Sequence, residues 1–115
     1  MIKNILHEYK LPTIWWKEIP FFDIDDSLKL LNFCQVHEIG ILGIEGFKIY
    51  NSFRIPDMNF IADFSSIYKN NAFSDFIKYS IDASNKFFDL PDVSKNLMFE
   101  FVLIQSTENS YENSH

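Results

Sequence analysis

The chain has little of several residue types that mark particular classes of protein. Its 115 residues include a single cysteine, Cys34, so a disulfide framework and a Cys-x-x-Cys motif are both excluded. A lone cysteine on an apolar helix face indicates inert packing rather than catalysis. The three histidines have no spacing typical of a metal site. The chain contains no Gly-x-Ser-x-Gly motif, and its three glycines form neither a dinucleotide fingerprint nor a phosphate-binding loop.

Basic residues and long apolar runs are also scarce. Lys and Arg number 10 against 16 Asp and Glu, which gives a formal net charge of -6. Phosphate backbones and anionic lipids repel such a chain, so we expect no nucleic-acid partner and no membrane partner. No stretch approaches the roughly 20 apolar residues that span a bilayer, and the N-terminus lacks a signal-peptide core. These absences predict a reduced, cytoplasmic protein, and the acidity favours a basic protein partner.

Apolar and aromatic residues, by contrast, are abundant. The hydrophobic fraction is 47% and the chain holds 13 Phe, enough for a real core in one domain of this length. We expect a single α+β domain at residues 1–105. Residues 106–115 are polar, and we expect them to be a disordered tail.

Apolar periodicity predicts two main helices. The first is expected near residues 26–37, with Asp25 as its N-cap and Gly40 as its stop. The second is expected near residues 74–88, with Ser74 as its N-cap. A further short helix is expected close to the N-terminus, before Pro12.

Runs of β-branched and aromatic residues predict an antiparallel or mixed sheet against which these helices pack. Its strands are expected at residues 39–50, 59–65 and 97–105. The glycines of the first strand indicate a bulge or a close backbone approach. Residues 54–57 are interpreted as part of a connection with turns, and a polar loop is expected around residues 69–71.

Two clusters near the N-terminus have both a structural and a functional interpretation. Trp15 and Trp16 are adjacent on an extended segment, so they point to opposite faces, and one of them is a candidate anchor for a partner. The acidic cluster Asp23, Asp25 and Asp26 is either a helix cap with a solvated loop or a negative rim for a basic partner.

Three carboxylates interrupt strands that are otherwise apolar, namely Glu45, Asp63 and Glu100. If the strands are neighbours, the three acids could hold a divalent ion for phosphodiester cleavage, with Lys48 near the water. The spacing from Glu45 to Lys48 is one residue longer than the Glu-x-Lys element of such nucleases. The alternative is that the acids lie at strand ends, on a solvated face, or opposite Lys48 and Arg54.

The segments ILGIEGFKI, IPDMNFIADFSS and MFEFVLI, in this order, resemble the immunity proteins of bacterial toxin systems. These are the proteins paired with contact-dependent inhibition toxins and with colicin-like nucleases. The resemblance covers roughly residues 21–105 and implies a protein without catalytic activity, cofactor or metal. It also implies a 1:1 complex with a basic cognate toxin domain, most simply a nuclease whose substrate-binding cleft is occluded.

Under this interpretation, acidic residues of the central strands contact the toxin, followed by the N-terminal cluster and an exposed tryptophan. The candidate partner-binding residues are Glu45, Asp57, Asp63, Asp23, Asp25, Asp26, Trp15 and Trp16. Two alternatives remain open at this point. One is a small metal-dependent nuclease that uses Glu45, Asp63 and Glu100, and the other is a non-catalytic adaptor subunit of a larger assembly.

Overall fold

A computed structural model describes residues 2–93 and 96–105, which form an α+β fold, as predicted. Its elements in chain order are α1 (Ile2–Glu8), β1 (Ile14–Trp16), β2 (Ile19–Phe21), α2 (Ile24–Val36), β3 (Ile39–Ile49), β4 (Arg54–Asp63), α3 (Ser65–Asn70), α4 (Phe73–Phe88) and β5 (Met98–Gln105). The expected tail at 106–115 lies outside the described residues. No helix within the described ranges is long and apolar enough to cross a membrane.

The main sheet has three antiparallel strands in the order β4-β3-β5, so β3 is central. Its register shifts between Ile41 and Gly43 where it faces β5, and between Glu45 and Gly46 where it faces β4. Both shifts adjoin glycines, which confirms the predicted bulge. The bulges matter for function because they decide which side chains share a face of the sheet.

Helix α4 takes the place of β4 along the first residues of β3. Pairing with β4 begins only at Gly43, so the N–H of Ile41 donates instead to Ser80 Oγ at 3.1 Å. Gly40 lies directly against the buried ring of Phe76 and leaves no room there for a Cβ atom. The close backbone approach predicted for these glycines is therefore present at Gly40.

The boundaries of α2 differ from the predicted ones. Asp23, not Asp25, is the N-cap, and its carboxylate accepts a hydrogen bond from the N–H of Asp26 at 2.7 Å. At the other end Glu38 has a left-handed φ of 56°, and the chain then enters β3. The prediction that Gly40 stops the helix was wrong, because this glycine serves packing within the strand.

Three local predictions between β3 and α4 were also wrong. Helix α4 begins at Phe73 with Ala72 at its N-cap position, so Ser74 does not cap it. Residues 54–57 are the first half of β4 rather than a connection. Pro56 is tolerated there because β4 is an edge strand, where a missing N–H costs no ladder bond. The expected polar loop is mostly α3.

The segment around the two tryptophans is a hairpin rather than one strand. Lys17 and Glu18 have positive φ angles of 50° and 68°, the backbone of a two-residue hairpin turn, and join β1 to β2. Just after β2, Phe22 exchanges two backbone hydrogen bonds with Phe99 of β5, at 2.9 and 2.7 Å. The hairpin is thereby fixed to one edge of the main sheet.

The hydrophobic core lies between the sheet and helices α2 and α4. Fully buried side chains include Leu30 and Leu31 of α2 and Phe99 of β5. Cys34 is buried among them, and burial raises the pKa of its thiol to about 12. The thiol is therefore protonated and inert at neutral pH, in agreement with its interpretation as packing.

Candidate functional site

The face of the sheet opposite the helices is covered over only part of its length. Directly opposed residues of antiparallel strands share a face, so this outer face can be read in rows across β4, β3 and β5. One row is Asp63, Gly43 and Val102, and the next is Ile61, Glu45 and Glu100. The following row is Pro56, Phe47 and Met98.

The N-terminal hairpin covers the outer face beyond the first two rows. Phe21 of β2 packs edge-on against Phe47 with ring centroids 5.5 Å apart, and Phe47 is only 4% exposed. In the first two rows, Ile61 is 42% exposed and Val102 is 56% exposed. We call these uncovered two rows the open face; its residues are Gly43, Glu45, Ile61, Asp63, Glu100 and Val102.

A cavity of about 450 Å³ lies on the open face. All six open-face residues line it, together with Leu42, Ile44, Ala62 and Ser65. An antiparallel sheet that faces water normally carries polar side chains on that side. Here the lining is mostly apolar apart from its acids, and it includes no Lys or Arg. The open face therefore combines an apolar floor with negative charge.

The pair Glu45 and Glu100 places two like charges directly opposite each other on neighbouring strands. Such a pair destabilises a sheet. Arg54 reaches only Glu100, through a single Nη1–Oε1 contact of 3.5 Å between half-buried groups. Within the described residues, no hydrogen bond or ion pair reaches the carboxylate of Glu45.

The pKa of Glu100 reflects this environment. Burial raises it above the ordinary value, the nearby Arg54 guanidinium partly opposes the rise, and the negative charge of Glu45 adds to it. Ionising Glu100 therefore costs more free energy in the folded protein than in the unfolded chain, despite its arginine partner. The negative charge of this row is under-compensated.

A pH dependence of stability follows from the raised pKa of Glu100. The stability contributed by its neutral form is present below the ordinary pKa of 4.5 and is lost as the pH rises through the folded value. Relative to the wild type, Glu100→Gln should therefore gain unfolding free energy as the pH is raised from about 4 to about 7. Urea unfolding at each pH measures this difference.

Asp63→Asn provides the contrast for that experiment. Hydrogen bonds from the backbone N–H and the hydroxyl of Ser65 lower the pKa of Asp63, with help from Lys69. The stability contributed by ionised Asp63 is present above its ordinary pKa and is lost as the pH falls through the folded value. Relative to the wild type, the free energy of unfolding should therefore rise with pH for Glu100→Gln and fall with pH for Asp63→Asn. Changes in the same direction would contradict these assignments.

Arg54 connects the hairpin to the sheet at the border of the open face. Its guanidinium carbon lies 4.8 Å from the ring centroid of Phe47, 5.5 Å from that of Trp16 and 5.7 Å from that of Phe21. Cations over aromatic faces are attracted by the ring quadrupole. Sequence reasoning assigned Arg54 to a connection, so this aromatic cage was not predicted.

The two tryptophans both lie half-buried in the hairpin. Trp15 packs on the core and stacks against His7, with ring centroids 3.8 Å apart. Trp16 donates from Nε1 to the carbonyl of Tyr50 at 3.0 Å and lies beside Arg54. The expectation that one tryptophan turns inward agrees with Trp15, whereas Trp16 is engaged in holding the hairpin to the sheet.

The other acidic candidates lie away from the cavity lining. Asp57 of β4 is opposite Gly46, and its carboxylate accepts a hydrogen bond from the N–H of Asn59 at 3.0 Å. Asp23 caps α2, as described above. Asp26 accepts a hydrogen bond from the Thr13 hydroxyl at 2.6 Å, and Asp25 is exposed in the first turn of α2. Asp23, Asp26 and Asp57 therefore have structural partners within the chain.

The nuclease alternative depends on how the three strand carboxylates and Lys48 are placed. Glu45, Asp63 and Glu100 do converge on one cavity, as their positions in apolar strands suggested. However, no group of three His, Cys, Asp or Glu among the described residues is arranged to hold a metal ion. Lys48, the residue proposed to lie near the water, alternates with Phe47 and so points to the opposite face of β3.

Comparison with known proteins adds no relative. No protein-family model, curated protein sequence or solved structure matches the chain.

Proposed function

We propose that this chain is an immunity protein that binds a cognate bacterial toxin domain, most simply a nuclease, and neutralises it without catalysis. The observation that carries the proposal is the open face, a partly apolar surface with under-compensated carboxylates. Contiguous exposed apolar surface is typical of interaction sites, and Ile61 and Val102 lie exposed beside the acids of this face. Carboxylates without cationic partners favour a partner of opposite charge.

The chemistry of a nuclease toxin fits such a surface. A nuclease binds its substrate with a basic cleft, so carboxylates presented by a protein can take the places of phosphates. Opposite fields accelerate association, and a desolvated centre slows dissociation. Glu45 and Asp63 are the two predicted contact residues that lie on the open face. The resemblance to immunity proteins suggests that the partner is a toxin. The open face is the surface to which such a basic partner is suited.

Calorimetry with whatever toxin-like domain is encoded immediately upstream of this chain tests the proposal. We expect a 1:1 complex with a dissociation constant of about 1 nM or lower, which corresponds to roughly -12 kcal/mol. Affinity should fall as salt is raised, because exposed charges are screened. Absence of a complex, or a complex indifferent to salt, would contradict the proposal.

Charge variants localise the contact. Glu45→Gln with Asp63→Asn should weaken the complex, whereas the matched pair Asp75→Asn with Asp82→Asn, on exposed positions of α4, should not. Capping residues such as Asp23 are unsuitable for this purpose because their loss perturbs α2. If the chain instead co-purifies with a constitutive assembly and ignores the toxin domain, the adaptor alternative is favoured.

A further inference from the structure

The open face also indicates which chemical group a partner places on it. The identity of the partner in this inference rests on the proposed function. The position of the binding site is argued from the geometry of the open face alone. The helices cover the inner side of the sheet and the hairpin covers the outer side only as far as Phe47. The two remaining rows form a sheet face without a partner, with Ile61 and Val102 exposed beside their acids.

The charges of this face indicate which sign of charge a bound group would carry. Glu45 and Glu100 oppose each other across β3 and β5, and Asp63 lies one row away on β4. Arg54 contacts one of the three, and Asp63 receives hydrogen bonds from Ser65. Glu45 is half-buried with no cation beside it in the described structure. A cation approaching Glu45 would therefore relieve the repulsion within the pair.

The chain itself shows how a guanidinium is held next to this face. Arg54 lies over aromatic rings while its Nη1 approaches Glu100. A guanidinium is weakly hydrated, planar and able to pair with two carboxylate oxygens, so it tolerates an apolar floor better than an ammonium does. The apolar side chains of Ile61 and Val102 flank the acids and suit an aliphatic neighbour.

We infer that the open face is a docking surface for a segment of a basic protein partner, which seats an arginine between Glu45 and Glu100. An aliphatic side chain next to that arginine packs on Ile61 and Val102. The like-charge pair is thus costly in the free protein and becomes favourable in the complex. This is the stability–function conflict expected of a binding site.

A minimal probe tests the inference without the toxin. Acetyl-leucyl-arginine amide carries both elements, and acetyl-leucyl-citrulline amide is its neutral counterpart of nearly the same shape. In ¹H–¹⁵N spectra of the full chain, we expect saturable, millimolar shifts from the arginine probe at residues 42–45, 61–63 and 100–102. The citrulline probe should bind at least about tenfold more weakly, since a charge-assisted hydrogen bond is lost.

Variants make the result specific. Glu45→Gln alone, which leaves the Arg54–Glu100 pair intact, and Glu45→Gln with Glu100→Gln should both reduce binding of the arginine probe. Asp75→Asn with Asp82→Asn should leave it unchanged. No saturable shift at the open face, or equal binding of the two probes, would overturn the inference.

The toxin domain separates this inference from the proposed function. If the toxin binds but the Glu45 and Glu100 variants bind it as tightly as the wild type does, the arginine site is wrong and the proposed function stands. If the arginine probe binds as expected and the toxin domain does not, the docking site stands and the proposed function fails.

Discussion

Replacing Gly40 with alanine is expected to destabilise the protein by about 3 kcal/mol, the upper part of the range for overpacking a core. A Cβ on Gly40 would overlap the ring of Phe76, lying 2.8 Å from Cδ2 and closer still to Cε2. Phe76 is fully buried and its ring also meets those of Tyr68 and Phe73, with centroids 5.1 and 5.8 Å away, so moving it aside would disturb their packing. Thermal and urea unfolding measure the loss. A variant as stable as the wild type would contradict the close packing of β3 against α4.

A double-mutant cycle locates the clash. Phe76→Leu alone leaves unfilled volume and is expected to destabilise the protein. In Gly40→Ala with Phe76→Leu, the smaller side chain accepts the new methyl group, so the combined cost should be less than the sum of the separate costs. Coupling between contacting residues amounts to about 0.5–3 kcal/mol. Strict additivity would place the effect of Gly40→Ala elsewhere in the structure.

Replacing Phe99 with alanine is expected to cost about 3–5 kcal/mol, the usual range for a buried phenylalanine. The ring of Phe99 is fully buried and meets the rings of Phe87 and Phe88 edge-on, with centroids 6.0 and 5.0 Å away. Its backbone also holds the N-terminal hairpin through Phe22. Because whole domains are stable by only about 5–15 kcal/mol, this loss would remove a large share of the free energy of unfolding.

Val102→Ala is the matched control for that experiment. Val102 is on the same strand but faces outward and is largely exposed, so its truncation should change stability by no more than about 0.5 kcal/mol. In urea unfolding, the midpoint should fall strongly for Phe99→Ala and hardly at all for Val102→Ala. Equal midpoints would contradict the assignment of inner and outer faces on β5.

The main elements were predictable because their patterns are local. Helices α2 and α4 carry wide apolar stripes at helical spacing, and β3 and β5 are runs of β-branched and aromatic residues. The sequence could not show that Pro56 lies within a strand, since only edge position makes a proline acceptable there. The sequence also could not show why a glycine is needed at position 40, because the ring of Phe76 that excludes a Cβ there is 36 positions away in the chain.

The site was predictable in part. Each carboxylate of the open face stood out because it interrupted an apolar strand, and the strand register brings the three acids to one cavity. Other features depend on contacts between distant parts of the chain and were not predictable. They are the register shifts at the bulges in β3, the side of the sheet that the hairpin covers, and the aromatic cage of Arg54. Lys48 is a different case, because strand alternation alone places it on the face of β3 opposite to Glu45.

The pairing of Glu45 with Glu100 is the feature that the proposed docking surface explains. Glutamine at either position would remove the repulsion and keep a similar shape. A pair that weakens the fold fits the account only if a partner compensates for it. Under the proposed function this compensation comes from the toxin, and Asp63 contributes to the negative rim of the same surface.

Carboxyl footprinting of the complex with such a toxin-like domain shows whether the open face is the surface that the toxin covers. Carbodiimide-activated labelling reports the accessibility of each Asp and Glu by mass spectrometry. Complex formation should reduce labelling of Glu45, Asp63 and Glu100 while leaving Asp75 and Asp82 of α4 as reactive as in the free protein. Unchanged labelling on the open face, with protection on the helices instead, would show that the toxin binds elsewhere and would contradict the account.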